Sequence, residues 1–229
     1  MNSFPKIGFV APSSAVPPYE FELGLERLKG QGLSFQVHSQ CKKKWLFFAG
    51  TDAERAKALI EYAYDPTIEA IWCARGGYGA YRLLPWLDSE LKKQGAPPKK
   101  MILGYSDTTC LLDYARTRWQ WNALHAPMPG LNNFLDLGKK ELSNLLTLLR
   151  GERPKAPFGT KKLKFAGAAP TSVIEAELVG GQPLYFSCCR RHSVRDAACW
   201  EHSFSRRHRR NFFKTRSNDS AAFDAARCG

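Results

Sequence analysis

Residues 101–115 read MILGYSDTTCLLDYA, and this stretch decides the fold. Residues 101–103 form a short apolar strand, which Gly104-Tyr105-Ser106-Asp107 breaks sharply. Residues 108–119 then carry apolar side chains at helical spacing. A strand that turns directly into a helix is the building unit of a parallel sheet covered by helices. A serine on such a turn has its hydroxyl raised at the sheet edge, and the next amide points the same way, at a helix N-terminus. One short peptide therefore offers a nucleophile, Ser106, and an oxyanion donor, the Asp107 amide. The plainer reading is a helix N-cap, the common role of a serine before a helix. The stretch also departs from G-x-S-x-G, with Thr108 where the second glycine would stand.

The alternation continues outward in both directions. Residues 7–11 are an apolar strand closed by Pro12, and residues 19–29 have helical spacing in Phe21, Leu23, Leu25 and Leu28. Residues 34–38 read as a short strand. Thr51 and Asp52 can cap a helix through Tyr64, with Ala53, Ala56, Leu59 and Ile60 on its buried face. Residues 68–74 form a strand that runs into Arg75-Gly76-Gly77-Tyr78-Gly79, and residues 80–87 read as helical. Downstream lie a strand at 123–126 and a helix at 139–149, with Leu142, Leu145, Leu146 and Leu149 on one side. The expected fold is α/β: a parallel sheet over residues 1–150 with helices on both faces. Ligands bind such sheets at the carboxyl ends of the strands, where Gly76-Gly77 and Ser106 both fall.

Glycines after a strand let a backbone amide approach a ligand closely. The RGGYG turn is neither G-x-G-x-x-G nor a P-loop, and alone it reads equally as a plain tight turn or an anion cradle. Beside Ser106, a second oxyanion donor is the better reading. His125 ends a strand near the same sheet edge and is a candidate base, although a lone histidine there is more often structural. No cysteine or histidine spacing matches a zinc site, since Cys188 and Cys189 are adjacent; no metal and no cofactor are expected.

The 229 residues carry a net charge of +13, which invites a nucleic-acid or membrane-surface partner. The charge is uneven, however. Residues 182–229 hold nine Arg and one Lys against three Asp and one Glu, a net +6, and four of the seven cysteines. An odd cysteine count without a secretory signal argues against a disulfide framework. No apolar run is long enough to span a bilayer, and the N-terminus lacks the basic start and long apolar stretch of a signal peptide. A cytoplasmic protein with no membrane partner is expected. Residues 151–170 are rich in Lys, Pro and Gly and read as a linker, and residues 171–179 restart as a strand.

Taken together, IGFVAPSS, IEAIWCARGGYGAYRLLPWLD, KKMILGYSDTTCLLDYA, LHAPM and AELVGG resemble the LD-carboxypeptidase family of serine peptidases. The family includes the muramoyltetrapeptide carboxypeptidases and the microcin C immunity peptidases. The resemblance runs in order from Ile7 to Gly181. It implies a flavodoxin-like N-terminal domain followed by a smaller β-rich C-terminal domain, begun here at 171–181. It implies removal of a terminal D-amino acid from murein tetrapeptides in cell-wall recycling, with a peptidyl-nucleotide antibiotic as the alternative substrate. The family's nucleophile falls on Ser106 and its oxyanion donors on the amides of Gly77 and Asp107. A Glu and a His from the C-terminal domain complete the family's triad, and no metal is used. Homodimers are usual for the family; a chain with an incomplete second domain is not expected to form a stable one.

After AELVGG the family continues with a pattern like GGNLSLL and later ILFLED, whose Glu is catalytic. This chain instead reads GGQPLYFSCCRRHSVRDAACWEHSFSRRHRR. Charge, cysteine content and periodicity change together at Gly181-Gln182. A shift of reading frame accounts for all three. Under synonymous codons selected for the match, dropping one base regroups residues 182–189 as NLSILAAA and 190–208 as VGIRYGMPPAGNILFLED. The catalytic Glu codon would then straddle Arg206 and Arg207. A tail read out of frame has no selected hydrophobic pattern, so residues 182–229 are expected to lack a packed structure. Its arginines are then an accident of frame, and no nucleic-acid partner is expected. The chain as written is expected to be nearly or wholly inactive. Two competing readings rank below this one: a non-catalytic flavodoxin-like domain binding an anionic small ligand, and a basic nucleic-acid binder driven by the tail.

Overall fold

The computed structural model of the chain describes residues 3–152 and Pro154. The expected linker beyond Pro154, the domain start at 171–181 and the tail at 182–229 lie outside the described residues.

Among the described residues, five strands and six helices follow one another: β1 (Ile7–Val10), α1 (Pro18–Lys29), β2 (Phe35–Val37), α2 (Asp52–Tyr64), β3 (Ala70–Cys73), α3 (Leu84–Gln94), β4 (Met101–Gly104), α4 (Thr109–Arg118), β5 (Asn122–His125), α5 (Asn132–Leu135) and α6 (Lys139–Leu149). The strands form one parallel sheet in the order β2-β1-β3-β4-β5. This is the flavodoxin-like order, whose switch point lies between β1 and β3. The sequence expectation of a parallel α/β sheet therefore holds.

The central strands β1, β3 and β4 read as unbroken apolar runs because both faces of the sheet are covered there. Side chains alternate between faces along a strand. Ile7 and Phe9 of β1, Trp72 of β3 and Leu103 of β4 enter one core with Phe21, Leu28, Phe134 and Leu142, Leu145, Leu146 and Leu149 of α6. Val10, Ile71 and Ile102 enter the opposite core with Leu59, Tyr62, Leu87, Leu111 and Tyr114 of α2, α3 and α4. Trp72 links two aromatic neighbours on its face, stacking on Phe9 at 5.8 Å and meeting Phe134 edge-on at 5.7 Å.

Local signals set the helix ends. Thr51 and Glu54 form a reciprocal capping box at the start of α2, where the sequence places the cap. Of the expected buried face of α2, Ala56 and Leu59 are buried and Ile60 packs on the core, but Ala53 is exposed; Arg55, Ala58, Tyr62 and Ala63 are buried besides. The helix expected at 80–87 is instead a 3-10 turn at Ala80–Leu83 followed by α3, which runs on to Gln94. Pro85 is the cause, because proline suits a first helical turn and breaks an interior. The short α5 carries no sequence signal and rests on the packing of Phe134.

Candidate active site

Three connections meet at the carboxyl ends of the central strands. The first follows β1 and holds Ser13 and Ser14. The second follows β3 and holds the RGGYG turn. The third is the turn from β4 into α4, which carries Ser106.

Ser106 does not cap a helix. Its backbone lies in the left-handed region at φ +64°, and it opens a 3-10 turn, Ser106–Thr108, that leads into α4. The turn's N-cap position belongs to Tyr105, whose side chain makes no capping bond. A residue with a Cβ is strained in this conformation, and such strain clusters at functional sites. The Ser106 hydroxyl makes no hydrogen bond to any described residue, so no base stands against it among them. Thr108 explains the departure from G-x-S-x-G. Its hydroxyl donates to the Tyr105 carbonyl at 2.9 Å, and a side chain on Gly104 would lie 2.4 Å from that hydroxyl. Gly104 is the first glycine of that motif, and Thr108, standing in place of the second, packs directly against it.

Gly76 lies directly against this turn. A methyl group there would sit 3.3 Å from the Ser106 Cβ and 3.1 Å from the Met128 methyl. Gly77 follows at φ +122°, where a methyl group would lie 2.1 Å from the Ser14 Oγ. The Ser14 amide donates to the Gly76 carbonyl at 3.3 Å. The structure thus brings Gly76-Gly77 and Ser106 together, as the sequence expects of two strand ends.

The Asp107 side chain was not assigned a part by the sequence, only its amide. It is fully buried behind the turn, and one carboxylate oxygen accepts from Ser13 Oγ at 2.7 Å and from the Ala80 amide at 2.9 Å. Burial pushes the Asp107 carboxyl above the usual range, opposed by the hydrogen bonds from Ser13, Ala80 and Gly79 and by the Arg55 charge. Arg55, also fully buried, is a second residue the sequence reading missed. One charge among several on a helix gives no sign of burial in sequence; the Ala-Pro-Ser-Ser stretch after β1, at a switch point, was the available signal for Ser13.

His125 is at the end of β5, paired in register with Gly104. Its ring meets Tyr105 edge-on at 5.8 Å and makes no hydrogen bond to Ser106. Burial lowers its pKa. The structure does not pair it with the serine. A hollow of about 310 Å³ adjoins the site, lined by Pro17, Glu20, Tyr105, Leu131, Asn132 and Asn133. A larger one of about 510 Å³ lies at the amino ends of the strands, beside Met101 and Asn122. The smaller is the relevant one, because it opens at the carboxyl edge where Tyr105 leads into Ser106.

Residues 7–126, more than half of the chain, match the family profile described as the LD-carboxypeptidase N-terminal domain. The chain belongs to the LD-carboxypeptidase family. It is 30% identical over 194 residues to the murein tetrapeptide carboxypeptidase of Pseudomonas aeruginosa, an alignment covering 80% of this chain and 59% of that protein. It is 37% identical over 116 residues to the microcin C7 self-immunity protein MccF of Escherichia coli, covering 48% of this chain and 33% of the other. The solved structure of wild-type MccF without ligand superposes with a TM-score of 0.56 at 26% identity, over 68% of this chain and 48% of that one. That of a muramoyltetrapeptide carboxypeptidase from Oxalobacter formigenes gives 0.50 at 26% identity, over 62% and 47%. The chain spans about half the length of the curated relatives it matches. Among the described residues, no helix is long and apolar enough to cross a membrane.

Proposed function

We propose that this chain carries the nucleophile and oxyanion loop of a cytoplasmic serine LD-carboxypeptidase, one that releases the terminal D-amino acid of murein tetrapeptides in cell-wall recycling. The observation that carries the reading is Ser106. It is held left-handed at φ +64° between β4 and α4, with the backbone of Gly76 against it. A fold that needed only a helix cap would not keep a strained serine whose hydroxyl has no hydrogen bond among the described residues. The substrate class is that of the related murein tetrapeptide carboxypeptidase of Pseudomonas and muramoyltetrapeptide carboxypeptidase of Oxalobacter.

Ser106 Oγ attacks the scissile carbonyl, and the amides of Gly77 and Asp107 hold the charge that develops on its oxygen. A histidine oriented by a glutamate takes the serine proton, as in other triads. Neither is found beside Ser106 among the described residues, and residues 182–229 do not continue the family's pattern. Losing the base costs about 10⁴ to 10⁶ in rate, so the chain as written is nearly or wholly inactive.

The test follows D-alanine release from an L,D-tetrapeptide. The chain itself is expected to release none. A chimera joining residues 1–181 to the second half of the Pseudomonas enzyme is expected to hydrolyse the peptide and to lose that activity with Ser106→Ala. A chimera equally active with Ser106→Ala would remove Ser106 from the mechanism. Release by the chain alone, lost with Ser106→Ala, would refute the inactivity and leave the nucleophile in place.

A further inference from the structure

Arg55 is a charge with no access to solvent, on a helix whose other buried residues are apolar. A buried charge is tolerated where it is paired and hydrogen-bonded. Its partners are telling. The guanidinium donates to the carbonyl of Pro12, to the carbonyl of Gly79 at 3.0 Å and to the Asp52 carboxylate, and it lies 4.8 Å from the centre of the Phe48 ring. Asp107 is bonded to the next residue in each connection: Ser13 after Pro12, and Ala80 after Gly79. Two connections, one after β1 and one after β3, are therefore each gripped at consecutive residues, first by the cation and then by the carboxylate.

The second connection needs such a grip. Gly77 and Gly79 both have positive φ, at +122° and +102°. Glycine reaches these values freely but loses the most conformational freedom when held there. A side chain on Gly79 would lie 2.6 Å from the Phe48 ring and 3.2 Å from the Arg55 guanidinium, so the loop also closes directly onto the clamp. Asp52, which completes the Arg55 shell, is tied on its outer side to Arg82 at 2.6 Å.

We infer that Arg55 and Asp107 form one clamp that fixes residues 76–80 against the Ser106 turn, with Arg55 a positioning residue for the oxyanion loop. The inference rests on the reading of Ser106 and Gly77 given above. The clamp acts on backbone geometry alone; neither charge is placed to touch the reacting atoms.

Residue-resolved amide hydrogen exchange on the full chain tests it. In Arg55→Met, exchange at Gly79 and Ala80 is expected to quicken by about tenfold or more, while Ile71 and Trp72 in β3 keep their rates. Arg55→Lys is expected to recover part of the protection, because a lysine reaches fewer of the three acceptors. Should Arg55→Met fail to fold, Ser13→Ala removes one bond to Asp107 and keeps the buried cation. It is expected to quicken exchange at Ala80 by about threefold with the sheet unchanged. Equal acceleration of loop and sheet in Arg55→Lys and Ser13→Ala would make these residues general stabilisers and overturn the inference. So would unchanged loop exchange in Arg55→Met. Exchange does not depend on whether Ser106 reacts, so a failed chimera assay with an intact exchange pattern would sink the proposed function alone.

Discussion

Ser106→Gly is expected to make the protein more stable, and Ser106→Ala is expected to leave it nearly unchanged. The reasoning starts from φ +64° at Ser106. A left-handed backbone costs a residue with a Cβ roughly 1–2 kcal/mol. Glycine removes that cost, but its added freedom in the unfolded chain takes back about 0.4–1 kcal/mol. The net gain for Ser106→Gly is about 0.5–1 kcal/mol, or about 1–4 °C in Tm for a chain of this size. Alanine keeps the Cβ and therefore the strain. The hydroxyl it removes has no partner among the described residues, so Ser106→Ala is expected within about 0.5 kcal/mol of the parent. An N-cap serine gives the opposite pattern: alanine costs about 1 kcal/mol and glycine a few tenths. Urea unfolding separates the two, followed through the fluorescence of the buried Trp72, Trp119 and Trp121. A glycine variant below the parent together with an alanine variant down by about 1 kcal/mol or more would refute the strain argument.

Other outcomes follow from the same geometry. Gly77→Ala combines φ +122° with a methyl group 2.1 Å from Ser14 Oγ, and is expected to cost about 2–3 kcal/mol in urea unfolding; a loss under about 1 kcal/mol would show the loop to be adaptable. Thr51→Ala breaks the capping box of α2 and is expected to cost about 1 kcal/mol, read from the denaturation midpoint. The carboxyl of Glu54 in that box is held down at about 2, by its bonds to Lys43 and then Thr51, so its contribution is complete above 4.5 and fades as pH falls from there toward 2. Thermal unfolding across that range should show a smaller acid loss in Glu54→Gln. Asp107 has the opposite sign. Its folded pKa lies above 3.8, so the folded chain binds the proton more tightly, and stability declines as pH rises through that window. Asp107→Asn should therefore gain on the parent as pH rises above 3.8; a constant difference would show the carboxyl to be unshifted. Sequencing the gene across the codons for residues 179–186 is expected to find an extra or missing base, and codons that do not regroup into the family's pattern would end the frame-shift proposal.

Much of the fold was legible because it rests on periodicity. The apolar runs of β1, β3 and β4 could hardly be anything but strands buried on both faces, and Leu142, Leu145, Leu146 and Leu149 mark one side of α6, a helix whose observed bounds match the expected ones. Boundaries were lost where one residue reversed the local rule. Pro85 looked like the interior of a helix at 80–87 and is instead the first turn of the next. The approach of Ser106 to Gly76-Gly77 could be read from strand ends, since a parallel sheet brings its carboxyl edges together. The left-handed backbone at Ser106 could not, because residue type there suggests a cap. Arg55 was invisible for a deeper reason. Among the other charges of its helix it reads as one more solvated charge, and its burial is set by acceptors on two distant connections.

The bond from Ser13 to Asp107 joins positions 94 residues apart. On a ribosome adding about 5–20 residues each second, Ser13 emerges about 5–20 s before its partner exists. Contacts of such separation also form late, since closing the intervening chain must precede any reward. The nascent protein thus displays Gly76, Gly77 and Gly79 before it can hold their shape. The geometry around Ser106 has a birth time, set by the emergence of Asp107.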